Sequence, residues 1–454
     1  MTGAQQAMGL PEEIPAAREP LGSPMRSKES ATAPCDPRAA LERKVLDVAS
    51  NLLLASSIRM GSELGIFKEM ARVPGKPFTV DEMASKLSLS SRYVGDLFLH
   101  LASNGMLDYS AGEQSDDQWT MSADHALILD PPMNEGVVPF LSALSEGHTK
   151  QFHLLKDAIK SDSGIAWSKM PCISSGARDF FAPIYRKLLP KWVAEVPQVS
   201  ALMRRGRIAD VGCGFGVSTM TLAKIFPNAQ LIGIDTDAES IDSAKRAAVK
   251  AEIPNVKFAC ADSRSWVEDT FSADAARAKS ALTRPLSVMR SIFGKERKAT
   301  ARAPGPGKGP WALGRWGEYD IVLLFDAFHD MPDPASVAAE CFRALRPGGA
   351  VLMVEPLSSI NDDTASKLEL STTKLYSGLQ VHFCTPCGKH GIKHGHRRVS
   401  EGIGPTAGTC RHRALMMAAG FSGFEQLLAD DQGLDAPGPR GFRLFLATKP
   451  TGTK

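Results

Sequence analysis

The stretch Ala209-Asp210-Val211-Gly212-Cys213-Gly214-Phe215-Gly216 decides how this chain folds. An apolar lead-in, Arg207-Ile208-Ala209, precedes it, and a helix-like segment from Thr219 to Phe226 follows. A strand that turns on glycines into a helix lays bare backbone N–H groups against a ligand. The next apolar run, Leu231-Ile232-Gly233-Ile234, ends in Asp235. That acid lies roughly 20 residues past the last glycine, the spacing at which a second strand's carboxylate reaches a nucleotide ribose. A third run, Val256-Lys257-Phe258-Ala259-Cys260-Ala261, ends in Asp262, whose carboxylate can accept a hydrogen bond from an adenine amino group. The pattern predicts an α/β sheet that binds a nucleoside-containing small molecule.

The glycine spacing narrows the ligand. Dinucleotide sites use G-x-G-x-x-G, and here the last position of that pattern is Val217. Asp210, just ahead of the first glycine, would repel a pyrophosphate and attract a sulfonium or an ammonium. S-adenosylmethionine carries both cations and no phosphate. This set of residues resembles the class I S-adenosylmethionine-dependent methyltransferases. The resemblance implies a Rossmann-like, seven-stranded α/β methyltransferase domain over residues 207–449. It places Asp210, Gly212, Gly214 and Gly216 in the methionine-side loop, Asp235 on the ribose hydroxyls, and Asp262 with Ser263 beside the adenine. Asp326, where the fourth strand ends, joins the cofactor-binding set.

The chain has 454 residues, room for two or three domains at about 100–200 residues each. A formal net charge of +3 is too small to point to nucleic acid or a membrane surface. No apolar stretch approaches the roughly 20 residues of a membrane span. Residues 1–38 are rich in Pro, Gly, Ala and charges and read as a disordered leader. Its acids Glu12, Glu13 and Glu19 argue against an organelle transit peptide. Eight cysteines scattered through so long a chain suit reduced thiols and a cytoplasmic location.

Residues 39–131 give the order helix, short helix, helix, ribbon. Thr79 and Glu82 form a capping-box pattern, and Ser90-Ser91 opens a further helix to about Asn104. Met106-Leu107-Asp108-Tyr109 and Gln118-Trp119-Thr120-Met121 flank a polar tip. That is the order of an α+β winged-helix domain. A DNA-recognition helix needs cationic and amide side chains. Here Arg92, Asp96 and His100 alternate with apolar residues, and the ribbon tip is acidic, so nucleic acid is not the expected partner. The stretches Ser91-Arg92-Tyr93-Val94, Asn104 to Tyr109 and Ser122 to Ala126 are similar to a bacterial and animal group of small-molecule methyltransferases, and plant O-methyltransferases carry such a domain as well. The resemblance implies a homodimer and a domain that helps to wall the substrate pocket. Residues 132–206 read as a helical linker and substrate cap, with Phe180, Phe181, Ile184, Leu188, Leu189 and Trp192 at helical spacing and Trp167 or Tyr185 as candidates to face substrate.

A basic, Pro/Gly-rich tract over residues 264–317 interrupts the pattern and reads as a solvated insertion. The fourth strand, Tyr319 to Phe325, then runs into Asp326-Ala327-Phe328-His329-Asp330-Met331-Pro332-Asp333. Residues just past the carboxyl end of such a strand face the ligand crevice. Plant O-methyltransferases have a His-Asp-x-x-Asp motif here, with the histidine as general base. His329, Asp330 and Asp333 match it, and Met331 replaces the usual tryptophan. An imidazole with a pKa of about 6.5 suits proton removal at neutral pH. By the same resemblance Glu355, at the end of the fifth strand, orients His329. Leu345-Arg346-Pro347-Gly348-Gly349 forms the turn into that strand, and the strands near 424–428 and 442–447 form a closing antiparallel pair.

Cys384-Thr385-Pro386-Cys387, followed by His390, His394 and His396, has zinc-like spacing but no second matching pair. The expected role of the cysteines is to line or close the substrate pocket, with no metal assigned. The function expected of the whole is S-adenosylmethionine-dependent methyl transfer to a small-molecule acceptor, at a hydroxyl, with His329 as base. The alternative from another class is a winged-helix regulator that keeps the pocket as a ligand sensor.

Overall fold

The computed structural model describes residues 36–112, 116–131, 135–269, 316–356, 359, 361–368, 373–390, 402–429 and 442–452. The chain divides into two units, Met1–Asn51 and Leu52–Lys454. Most of the expected leader lies outside the described residues, and helix α1 (Pro37–Glu63) begins at Pro37.

Three further helices, α2 (Ile66–Ala71), α3 (Val80–Leu87) and α4 (Ser91–Ser103), lead into a two-stranded antiparallel ribbon, β1 (Asp108–Ser110) with β2 (Gln118–Thr120). The capping box forms as the sequence predicts. Glu82 N–H donates to Thr79 Oγ1 (3.1 Å), and Thr79 N–H donates to Glu82 Oε2 (2.9 Å). Ser90 occupies the N-cap of α4 without a side-chain cap bond. The ribbon starts later than predicted because Gly105, at φ 72°, ends α4 and Met106 N–H returns to the Leu101 carbonyl (2.9 Å). Phe67, Phe98, Leu101 and Trp119 make the core of this part.

Helices α5 (Ala123–Leu129), α6 (Val137–Ser161), α7 (Pro171–Glu195) and α8 (Pro197–Met203) follow. Of the stripe read from helical spacing, Phe180, Ile184, Leu188, Leu189 and Trp192 are buried against the sheet and Phe181 is half-buried beside them.

The sheet has seven strands in the order β5-β4-β3-β6-β7-β9-β8. They are β3 (Arg207–Val211), β4 (Gln230–Asp235), β5 (Val256–Cys260), β6 (Tyr319–Phe325), β7 (Leu345–Pro356), β8 (Gly423–Ala429) and β9 (Phe442–Thr448). β9 runs antiparallel to both neighbours, and the other described pairings are parallel. Both faces of the sheet are covered, so the central strands are apolar on both sides. In β6, Ile321, Leu323 and Phe325 pack with α7 and α8, while Val322 and Leu324 pack on the opposite face. The Pro-Gly-Gly turn ahead of the fifth strand of this domain is an irregularity at the start of β7. Tyr319 pairs with Leu345 but Ile321 already pairs with Ala350.

Helix α9 (Val217–Ile225) follows β3, and α10 (Ala238–Lys250) follows β4. From β3 the chain winds outward through β4 and β5. It then returns to the other side of β3 as β6 and winds outward the opposite way. The crevice at the carboxyl ends of β3 and β6 is therefore a topological switch point, where open α/β sheets hold ligands.

The insertion begins later than the sequence predicts. Residues 266–269 are helical, Trp266 and Val267 lie in the core, and Val267 N–H donates to buried Glu340 (3.2 Å). A tryptophan stacked edge-on to Tyr319, with ring centroids 5.0 Å apart, belongs to the domain and not to a solvated loop. The rest of the tract, 270–315, lies outside the described residues.

One side chain ties the glycine-loop helix to the sheet. Asn255 Nδ2 donates to the carbonyls of Ala223 (3.0 Å), Phe226 (3.0 Å) and Ala229 (3.3 Å), stitching the end of α9 to the approach to β4. Asn255→Ala takes this donor from all three carbonyls, of which Phe226 retains the Ala229 N–H, and should cost about 1–3 kcal/mol, read by chemical denaturation.

Candidate functional site

The turn from β3 into α9 is built by three glycines with left-handed backbones: Gly212 (φ 79°), Gly214 (φ 50°) and Gly216 (φ 73°). Their reasons differ. A Cβ on Gly212 would meet Ala327 Cβ at 2.6 Å and Met331 Cε at 2.8 Å, so this glycine lets the loops after β3 and β6 touch. A Cβ on Gly216 would meet the Phe258 ring at 2.4 Å. At Gly214 nothing lies within 4 Å, and the residue lines a cavity of about 510 Å³. That cavity fills the switch-point crevice.

Asp210 does not line the cavity. It is buried under the loop, where its Oδ2 accepts the hydroxyls of Ser218 (2.7 Å) and Thr219 (2.6 Å). It therefore holds the first turn of α9. Its Oδ1 has no hydrogen-bond partner, and burial pushes its pKa up to about 6. Gly216 likewise supports the loop from behind. Gly212, Gly214, Asp235, Asp262, Ser263 and Asp326, all expected to bind cofactor, line the cavity.

Asp235 accepts Gly214 N–H at Oδ2 (2.8 Å) and Asp237 N–H at Oδ1 (2.9 Å), so it couples the end of β4 to the glycine loop. Asp237 caps α10 by accepting Ser240 N–H (3.0 Å). Asp262 is clamped by Arg264, with Nε on Oδ1 (2.9 Å) and Nη2 on Oδ2 (2.6 Å), and that guanidinium lowers its pKa. Asp326 sits at φ 50°, an uncommon backbone for a residue with a side chain, and burial raises its pKa to about 7.

At the other end of the cavity the loop after β6 forms a 3-10 turn, Phe328–Asp330. Glu355, at the end of β7, fixes it. Phe328 N–H donates to Glu355 Oε1 (3.0 Å), and His329 Nδ1 lies 2.6 Å from Glu355 Oε2. The expected His329–Glu355 pairing is thus present. His329 is 3% exposed and stands behind Asp330, which lines the cavity. The His329 Nε2 is 3.2 Å from Asp330 Oδ1, close enough for an ion pair but not aligned as a hydrogen bond. Burial works against a charged imidazole, but Asp330, Glu355 and Asp326 outweigh it and push the pKa of His329 up to about 10. The ordinary imidazole pKa expected from sequence does not apply in this setting. Despite its own burial, Glu355 is held at a pKa of about 2 by His329 and His412.

Several cavity residues were outside the predicted set. Asp330 was legible as part of the motif but had no role assigned. Phe215 belongs to the glycine loop and His390 follows the Cys-x-x-Cys pair, while Arg178 gave no local signal because its placement depends on distant segments. Trp167 and Tyr185, the two aromatic candidates, both line the cavity. Cys387 does too, while Cys384 is buried behind it. His394 and His396 lie outside the described residues.

The lining favours a cation-bearing adenosyl ligand over a phosphate. Its two guanidinium groups are already paired, Arg178 with Asp179 and Arg264 with Asp262. Asp235, Asp326 and Asp330 line the same space, where positive charge is stabilised and a phosphate repelled.

Comparison with known proteins agrees with this geometry. Residues 208–293 and 315–353 each match a family described as "Methyltransferase domain". The trans-aconitate 2-methyltransferase of Methylobacterium radiotolerans is 40% identical over 60 residues, which cover 13% of this chain and 21% of that protein. That of Azoarcus sp. is 26% identical over 149 residues, covering 33% of this chain and 38% of the relative. The chain thus spans well under half the length of these curated relatives. The fold is similar to that of human N-acetylserotonin methyltransferase, solved with SAM, at a TM-score of 0.57 and 15% identity, over 92% of this chain and 100% of that one. It is also similar to an O-methyltransferase family protein from Burkholderia thailandensis at a TM-score of 0.57 and 13% identity, over 91% of this chain and 99% of the other. The chain carries a class I S-adenosylmethionine-dependent methyltransferase domain, built on the seven-stranded sheet.

Asp235→Ala removes both the loop anchor and a carboxylate of the cavity wall. It is expected to weaken S-adenosylhomocysteine binding at least about 10-fold by calorimetry, the loss of roughly one charge-assisted hydrogen bond.

Proposed function

We propose that the protein transfers the methyl group of S-adenosylmethionine to a small-molecule acceptor, at a hydroxyl, with His329 as general base. The observation that carries this reading is the His329–Glu355 pair, set at 2.6 Å under the Asp326–Asp330 wall of the cavity. When bound, the cofactor supplies an electrophilic methyl group on a positively charged sulfur. Asp235, Asp262 and Ser263 would hold its nucleoside half, and Gly212, Gly214 and Asp326 its amino-acid half, with Asp210 and Gly216 shaping the loop from beneath.

The other residues align the acceptor and handle its proton. Trp167, Phe181 and Tyr185 offer flat apolar walls that exclude water and orient an acceptor, which can remove several kcal/mol from the barrier. Glu355 holds the imidazole by Nδ1 and leaves Nε2 directed toward Asp330 and the cavity side. His329 becomes able to accept a proton only when positive charge beside Asp326 and Asp330 offsets their pull on it. The acceptor's proton then passes to Nε2 along the Asp330 side of the cavity.

The N-terminal helices and ribbon are read as a winged-helix module used for dimer contacts. Leu52, Leu53, Met60 and Leu64 are exposed apolar side chains that support a homodimer interface. A DNA-reading role is disfavoured, because Arg92 on the exposed side of α4 is paired with Asp96 (3.1 Å) and Tyr93 and Leu99 are exposed beside it. No helix among the described residues is long and apolar enough to cross a membrane, and the described cysteines are unpaired. Both observations support a cytoplasmic enzyme.

A thermal-shift comparison of S-adenosylmethionine, NAD and ATP should give a rise in melting temperature for the first alone, since a ligand that binds only the native state stabilises it. His329→Ala should lower turnover about 10²–10⁴-fold in a screen of hydroxylated acceptors read by S-adenosylhomocysteine release, with cofactor affinity little changed. Turnover equal to wild type would remove His329 from the base role. Cofactor binding with no product from any acceptor would favour a ligand-sensing regulator.

A further inference from the structure

The Cys-x-x-Cys pair finds its histidine far away in sequence. Its own downstream histidines do not join it among the described residues. The partner comes from the loop after β6. His329, Asp330 and Cys384 each offer a ligand atom, and the three atoms lie within 4.8 Å of one another. We propose that His329 Nε2, Asp330 Oδ1 and Cys384 Sγ form a binding site for a thiophilic divalent cation, zinc above all, at the wall of the cofactor cavity.

Four observations converge on this cup. First, the donor set mixes imidazole, carboxylate and thiol, which suits zinc better than the oxygen-loving Mg²⁺ or Ca²⁺. Second, Asp330 Oδ1 is buried without an aligned hydrogen bond and already faces the His329 edge at 3.2 Å. Third, Glu355 binds the far nitrogen of His329 at 2.6 Å. A carboxylate on the non-ligating nitrogen is how proteins orient a metal-binding histidine and raise its basicity. Fourth, Asp330 lines the cavity, which gives an ion a way in, whereas His329 and Cys384 are buried behind it. Tetrahedral zinc, with bonds of about 2.0–2.3 Å, sets neighbouring ligand atoms about 3.3–3.8 Å apart. His329 Nε2 and Asp330 Oδ1, at 3.2 Å, are already near that spacing. The Cys384 thiol lies within 4.8 Å of both, so a side-chain rotation suffices to close the cup.

Glu355, which holds His329 from behind, also lies 3.9 Å from His412 Nε2. The inference rests on the proposed function only in locating the acceptor end of the cavity. A metal on Nε2 and a proton on Nε2 compete for one lone pair, so the ion would hold His329 out of acid–base work.

The test uses the full chain after treatment with a chelator. Cobalt(II) is expected to bind at one equivalent and give a near-ultraviolet thiolate-to-cobalt absorption. Cys384→Ala should abolish that band, and Cys387→Ala should keep it. Zinc affinity, from competition with a chromogenic chelator, should fall at least about 10-fold in Asp330→Asn and about 10–100-fold in Glu355→Gln. Absence of the band in the wild-type protein would overturn the proposal, whatever the variants do, as would a band that follows Cys387 instead of Cys384. S-adenosylhomocysteine uptake by the same metal-free protein separates the two readings. If it binds and cobalt does not, the cup alone fails. If cobalt binds and the adenosyl compound does not, the methyl-transfer reading fails and the metal site stands.

Discussion

Carboxylates crowded into one low-dielectric crevice are the constraint on which this site depends. Asp210, Asp235, Asp326 and Asp330 all have raised pKa values with burial as the leading cause. Isolated buried charges are expensive, and proteins keep them only where something pairs with them. Here part of the pairing is internal. Backbone N–H groups serve Asp235, hydroxyls serve Asp210, and the His329 imidazole stands between Asp330 and Glu355. Asp326 and Asp330, both of which line the cavity, remain less well matched. A pocket with this imbalance selects positive charge before it selects shape.

The same constraint separates support from contact. Acids that point under the glycine loop hold backbone in place, and acids that point over it line the cavity. Asp235 does both, because its two oxygens reach Gly214 and Asp237 while the residue lines the cavity. Asp210 and Glu355 are wholly supportive. Asp210 gathers donors from the first turn of α9, and Glu355 from the 3-10 turn with His412 beside it, and each holds its turn in place. Preorganised turns of this kind let a site work without reorganising when charge shifts within it.

Much of the fold was legible because its signals are local. The strand–glycine–helix run, the acid at the end of β4, the capping box at Thr79 and the closing antiparallel pair all depend on neighbours in sequence. The extent of the insertion was misread for the opposite reason. Trp266 and Val267 look like the start of a variable tract, yet they are core, because Tyr319 and Glu340 come back to meet them from beyond the gap. His329 shows the same limit in chemical terms. Its motif was plain, but its proton affinity is set by Asp330, Glu355 and Asp326 together.

The sequence by itself determined the sheet, the switch point and the preference for a phosphate-free adenosyl ligand. These follow from backbone freedom at glycine and from acids at strand ends, and both are written residue by residue. Only the tertiary structure decided that Asp210 lies under the glycine loop and outside the cavity lining, that Asp330 stands in front of His329, and that Cys384 lies within 4.8 Å of a histidine from the loop after β6. Those outcomes depend on which side of a turn a side chain leaves from and on what another strand brings opposite it. Burial, distance and charge at such points belong to the folded assembly of segments, and no short window of residues contains them.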